Sequence, residues 1–145
     1  MTDFKRVFID TAPIIYFLEN SSLYRESMGK FLTRCMEEHI QLVTSTLTIE
    51  EYLVSPYSNG KLEYVGNFKR FIQYMNIEVA DIDSAIAEQG AKIRGQYKNF
   101  KAMDALQIAT AIVKKCDMFF TNDKQLRQEK ELPCMTMEDL DKGSP

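Results

Sequence analysis

The chain predicts an α/β sandwich, a parallel sheet covered by helices on both faces. Three observations carry this. Short apolar runs of strand length alternate with longer segments of helical spacing. Alternation of that kind implies right-handed crossovers between parallel strands. No repeat, low-complexity segment or Gly/Ser linker divides the 145 residues, so residues 1–142 read as one domain and 143–145 as a frayed tail.

Arg6–Ile9 is the first strand-like run, and the Asp10-Thr11-Ala12-Pro13 sequence that follows can start a helix, with proline in its first turn. Residues 22–38 carry Leu23, Met28, Phe31, Leu32, Cys35 and Met36 at helical spacing. His39 lies between that helix and the next run, 41–44, where it would interact with the helix C-terminus. The Ser45–Thr48 cluster can open a third helix, and 56–60 (PYSNG) reads as the turn that ends it. Segment 62–75 is helical, with Val65, Phe68, Phe71, Ile72 and Met75 in phase, and 77–79 is a short strand. Segments 83–97 and 102–115 are helical, the latter almost wholly apolar along one broad side. Met118–Thr121 is a strand, Thr121-Asn122-Asp123 caps a helical turn over 124–127, and Cys134–Thr136 is a weaker fifth strand.

Composition narrows the function classes. The chain is 45% hydrophobic and 27% charged, enough to bury a core without disulfides. Cys35, Cys116 and Cys134 are scattered and form no CxxC pair, which suits core thiols in a reducing compartment. With no signal peptide pattern and no apolar run of membrane length, the expected setting is the cytoplasm. A single histidine gives a zinc site or a Ser/Cys–His triad almost no support. Neither GxGxxG nor GxxxxGK[ST] occurs. An aspartyl phosphatase would want an acid two residues after Asp10, where Ala12 stands. The net charge of −3 argues against a protein that coats long nucleic acid, but leaves room for a nuclease whose carboxylates hold cations.

The acids repay closer attention. Ligands bind parallel sheets beyond the carboxyl ends of the strands, and both Asp10 and Asp123 fall at such ends. Either could simply cap the following helix. Asp104 is more informative, because Met103, Leu106, Ile108, Ala109, Ile112 and Val113 leave few polar positions around it. A carboxylate on so apolar a helix is costly unless paired, hydrogen-bonded or bound to a metal, although a first-turn position would gain from the helix dipole. In TSTLTIEEYL, Glu50 and Glu51 point about 100° apart, and periodicity does not choose between them. Several carboxylates converging on one sheet edge would raise one another's pKa, a penalty that a hard divalent cation removes.

These blocks, VFIDTAPIIYFLE, STLTIEEYL, MDALQIATAIVKKCD and MFFTND, resemble in order and spacing a PIN domain, most closely its VapC-type toxin branch, over nearly the whole chain. The resemblance implies a three-layer sandwich around a central, mostly parallel sheet of four or five strands. It implies a Mg²⁺- or Mn²⁺-dependent endoribonuclease that hydrolyses phosphodiesters to a 5′-phosphate and a 3′-hydroxyl. Asp10, Glu51, Asp104 and Asp123 take the family's metal-site and catalytic positions, with Glu50 the poorer fit. Thr11 and Thr121 resemble hydroxyls that border the site, and Asn122 shapes the turn. The toxin branch further implies a homodimer and neutralisation by a small antitoxin. Arg94, Lys98 and Lys101 could steer the RNA backbone, as could Lys124, Arg127 and Lys130, or either set could be a solvated face. Tyr16, Tyr52 and Tyr97 could stack on bases or fill the core. The rival readings are a catalytically silent scaffold that binds RNA or protein, and a nuclease acting on DNA.

Overall fold

The computed structural model describes residues 4–19 and 23–142; the expected tail and the start of the second helical segment lie outside these. Five strands, β1 (Arg6–Ile9), β2 (Gln41–Ser45), β3 (Glu78–Ala80), β4 (Met118–Thr121) and β5 (Cys134–Thr136), form one sheet in the order β3-β2-β1-β4-β5. Every neighbouring pair is parallel. The helices are α1 (Thr11–Leu18), α2 (Arg25–Glu37), α3 (Thr46–Ser58), α4 (Leu62–Tyr74), α5 (Ser84–Gln96), α6 (Ala102–Val113) and α7 (Met137–Asp141), with a 3-10 turn over Lys124–Gln128. The expected fold class is what forms.

Alternation along each strand divides the core in two. Val7, Ile9, Leu42, Met118, Phe120 and Met135 face α1, α2, α3, α4 and α7. Phe8, Val43 and Phe119 face α5, α6 and the 3-10 turn. The Phe8 and Phe119 rings stack across β1 and β4 with centroids 5.1 Å apart. Gly90 lets α5 and α6 approach closely, since a Cβ there would meet Leu106 Cδ2 at 3.3 Å. Among the described residues, no helix is long and apolar enough to cross a membrane.

Four helices end alike. α2, α3, α4 and α6 each close with a residue in the left-handed region, His39 (φ 57°), Gly60 (φ 67°), Asn76 (φ 51°) and Lys115 (φ 58°). In each, the next N–H bonds back to the carbonyl five residues earlier: Ile40 to Cys35, Lys61 to Pro56, Ile77 to Ile72 and Cys116 to Ala111. These are Schellman closures, which satisfy the last carbonyls and turn the chain into the next element.

The closures explain two departures from expectation. Segment 56–60 is not wholly a turn, because α3 runs through Pro56 to Ser58 and Gly60 makes the reversal. Pro56 has no N–H to offer the carbonyl four residues back, and α3 ends two residues after it. β3 starts one residue late because the N–H of Ile77 is committed to α4.

Because a non-glycine residue in the left-handed region carries about 1 kcal/mol of strain, Lys115→Gly at this exposed position should stabilise the fold by roughly 0.5–1 kcal/mol in urea unfolding. A loss of stability would contradict the strain assigned to the α6 closure.

Candidate active site

β1 is central, and the chain builds the sheet outward from it on one side through β2 and β3, then on the other through β4 and β5. The reversal falls between β1 and β4, where a crevice opens beyond the carboxyl ends of the strands. Ile9 and Phe120 are paired in register, so the residues that follow them, Asp10 and Thr121, leave the sheet side by side. The Asp10 N–H donates to Phe120 O at 2.9 Å.

A cavity of about 410 Å³ occupies this crevice, and Asp10, Glu51, Asp104 and Asp123 all line it. Thr11, Gln107, Thr121 and Asn122 complete its polar wall, with Ala12 and Ile15 on the apolar side. A larger, shallower groove of about 790 Å³ runs along α2 past Phe17 and Arg25. Two of its charges, Glu26 and Lys30, already pair at 3.2 Å, so it offers no comparable acid cluster.

Each acid is placed by a different element. Asp10 is the N-cap of α1, its Oδ1 accepting the Thr11 N–H at 2.8 Å and its Oδ2 the Thr121 hydroxyl at 2.8 Å. Glu51 comes from the second turn of α3 and accepts the Thr11 hydroxyl through Oε1 at 2.7 Å. Glu50, one helical step away, is exposed and does not line the cavity. Asp104 stands in the first turn of α6. Asp123 caps the 3-10 turn through Gln125 N–H at 3.0 Å, and its own N–H donates to the Thr121 hydroxyl at 3.2 Å. Capping and lining the cavity are therefore combined in Asp10 and Asp123.

Burial pushes the Asp10 carboxyl above its usual range; bonds from Thr121, Thr11 and Gln107 oppose this, and the Glu51 charge adds to it. Asp104 is also raised, chiefly by burial, then by the charges of Asp10 and Asp123, against a lowering by Lys101. Burial leads in both cases, and the neighbouring carboxylates push in the same direction.

Behind the acids lies a polar network that the sequence did not disclose. Gln107, 2% exposed, receives the Ser45 hydroxyl on Oε1. Its Nε2 donates to Thr48 Oγ1 at 2.8 Å and to Asp10 Oδ1 at 3.3 Å. The Thr44 and Thr48 hydroxyls are 2.8 Å apart, and Thr44 also donates to Ile9 O at 2.8 Å. A signal did exist. Gln107 is a second polar side chain on the apolar helix, three residues from Asp104.

The basic and aromatic candidates fall elsewhere. Lys101 is the residue before α6 and bears on Asp104 electrostatically, but it, Arg94 and Lys98 are all exposed and none of the three lines the cavity. Lys124 pairs with Glu138 at 2.7 Å and Arg127 pairs with Asp139, tying the Asp123 segment to α7. Lys130 is exposed. Tyr52 is buried and stacked on Phe68, Tyr97 is stacked on Phe100, and Tyr16 packs edge-on to Tyr24. All three have intramolecular packing partners.

The donor set tests what could bind here. Among the described residues, no group of three or more His, Cys, Asp or Glu side chains is placed to hold a metal ion directly. Mg²⁺ does not require that, since it keeps several waters and uses one or two carboxylates. All-oxygen donors, electrostatically strained carboxylates and room for waters together fit a hard divalent ion.

A profile of the PIN domain matches residues 7–131. The chain belongs to the PIN-domain family. No curated protein sequence matches this PIN domain. Similar folds occur in solved structures. VapBC2 from Rickettsia felis, bound to a DNA fragment from its promoter, contains a chain with TM-score 0.77 and 14% identity, covering 90% of this chain and 98% of that one. DNA-bound VapBC from Salmonella typhimurium gives 0.73 and 16%, over 91% and 98%. A toxin–antitoxin complex from Klebsiella pneumoniae gives 0.67 and 21%, over 90% and 97%. At these identities the likeness is one of fold.

The raised Asp104 carboxyl makes a stability prediction for this PIN domain. The folded chain holds that proton at a pH where the unfolded chain has released it, so stability falls as pH climbs from about 4. In chelator, Asp104→Asn should melt several degrees above the parent at pH 7, the gain shrinking toward pH 4 in scanning calorimetry. A lower melting temperature at pH 7 would mean that the carboxylate is stabilising.

Proposed function

We propose that this PIN domain is a divalent-ion-dependent endoribonuclease and the toxin of a toxin–antitoxin pair. The observation that carries the reading is the meeting of Asp10, Glu51, Asp104 and Asp123, from four separate chain segments, around one cavity at the β1/β4 switch.

Asp10 and Asp104 would hold Mg²⁺ or Mn²⁺, directly or through water, and Glu51 and Asp123 would complete the negative charge around it. An ion held there supplies positive charge for the phosphate oxygens and acidifies water for attack in line with the leaving oxygen. Thr11 orients Glu51 through its hydroxyl and Asp10 through its N–H. Thr121 fixes the far oxygen of Asp10 and anchors the turn bearing Asn122 and Asp123. Hydrolysis by this route leaves a 5′-phosphate and a 3′-hydroxyl.

Lys101, whose charge bears on Asp104, would steer the RNA backbone, with Lys98 on the same α5–α6 connection and Arg94 in the last turn of α5. The recurrence of toxin–antitoxin complexes among the similar folds supports a small antitoxin as partner. Val54, Tyr57 and Leu62, exposed around the α3–α4 turn, offer apolar surface for a homodimer. Three unpaired cysteines suit a cytoplasmic setting.

Purified protein should cleave single-stranded RNA in Mg²⁺ or Mn²⁺ and stop on chelation, while a matched DNA strand stays intact. Asp10→Asn and Asp104→Asn should each reduce cleavage at least about a hundredfold while keeping the circular dichroism of the parent. Chelator-resistant cleavage, or undiminished activity in either variant, would refute the assignment.

A further inference from the structure

The hydrogen bonds of Asp10 reach beyond the four acids. A carboxylate offers about four acceptor positions, two on each oxygen. Oδ1 uses both of its own, on the Thr11 N–H at 2.8 Å and on Gln107 Nε2 at 3.3 Å. Oδ2 uses one, on the Thr121 hydroxyl at 2.8 Å, and keeps one.

Gln107 is fixed in how it can contribute. An amide can rotate to exchange its oxygen and nitrogen, and nothing about a glutamine alone prevents that. Here the Ser45 hydroxyl donates to Oε1, and Thr48 Oγ1 and Asp10 Oδ1 accept the two Nε2 protons. The reversed amide would set its oxygen against the Asp10 carboxylate, two acceptors facing each other, and would face Thr48 with the same oxygen. Ser45, Thr48 and Gln107 are all essentially buried, so water cannot substitute for a broken bond.

We propose that Gln107 is a positioning residue that occupies Asp10 Oδ1 and thereby limits Asp10 to offering a divalent ion a single oxygen, Oδ2. The inference rests on the divalent-ion reading of the site and adds a discrimination to it. Mg²⁺ demands near-octahedral coordination at short distances, which one-oxygen carboxylate contacts satisfy. Ca²⁺ is larger and accepts carboxylates through both oxygens. Blocking Oδ1 therefore favours the smaller ion. Second-sphere partners of this kind commonly alter ion affinity by about 10–100-fold.

The test is calorimetric titration of the whole chain with MgCl₂ and, separately, CaCl₂. Gln107→Met keeps the side-chain length and removes the amide. It should weaken Mg²⁺ binding by about tenfold and Ca²⁺ binding by clearly less, so that the Mg²⁺/Ca²⁺ affinity ratio falls. Ser45→Ala leaves Gln107 in place and removes the hydroxyl that sets its amide orientation, a hydroxyl that also caps α3 by accepting the Leu47 N–H at 3.2 Å; it should lower the same ratio by about threefold, and it carries the test if Gln107→Met does not fold. Equal weakening of both ions would make Gln107 merely structural and overturn the proposal, as would an unchanged ratio in a folded variant. Failure of the parent to bind either ion would instead overturn the metal-dependent reading itself, and this proposal with it.

Discussion

A carboxylate at the end of the central strand, walled in by three helices and a neighbouring strand, is the constraint around which this molecule is arranged. Removing the Asp10 carboxylate from water would cost several kcal/mol if nothing met it. Three donors do meet it, the Thr11 N–H, the Thr121 hydroxyl and the Gln107 amide, and each comes from a different part of the chain. Together they still leave its carboxyl raised, because burial and the charge of Glu51 outweigh them. The remaining deficit is what a bound cation would remove.

The rest of the architecture follows from serving that position. β1 and β4 must be adjacent and parallel for Asp10 and Thr121 to leave the sheet together. α6 must lie close enough for one helix to present both Gln107 at depth and Asp104 nearer the mouth, and on its other side it is packed closely by α5 at Gly90. On the other flank, α3 begins directly from β2, so Ser45, Thr48 and Glu51 descend one helix face from the network to the cavity. α7 is small, but its capping box and its pairs with Lys124 and Arg127 brace the turn that displays Asp123. Stability and chemistry are in opposition here. The bonds that orient the acids also concentrate like charges.

Much of this could be read from the residues. The strands announced themselves as short apolar runs, and β1, β4 and β5 fall where those runs fall. Asp104 stood out because its helix offers few polar positions. What stayed hidden depends on contacts between distant segments. Ile77 looks like a strand residue, yet its N–H closes α4; Pro56 looks like a helix stop, yet three residues of α3 follow it or include it. Helical phase separates Glu50 from Glu51 without saying which side meets β1, and only the packing of α3 against α1 turns Glu51 toward Thr11. Gln107 was legible as an oddity on an apolar helix. Its partners at positions 45, 48 and 10 lie far away in the chain, so its orientation was not.

The most direct measurement is anomalous X-ray diffraction from crystals of the protein soaked in Mn²⁺. The account predicts a manganese peak inside the β1/β4 cavity, within ligand reach of Asp10 Oδ2 or of a water that Asp10 and Asp104 share. Manganese found only at other surfaces, with that cavity holding water alone at saturating ion, would contradict it.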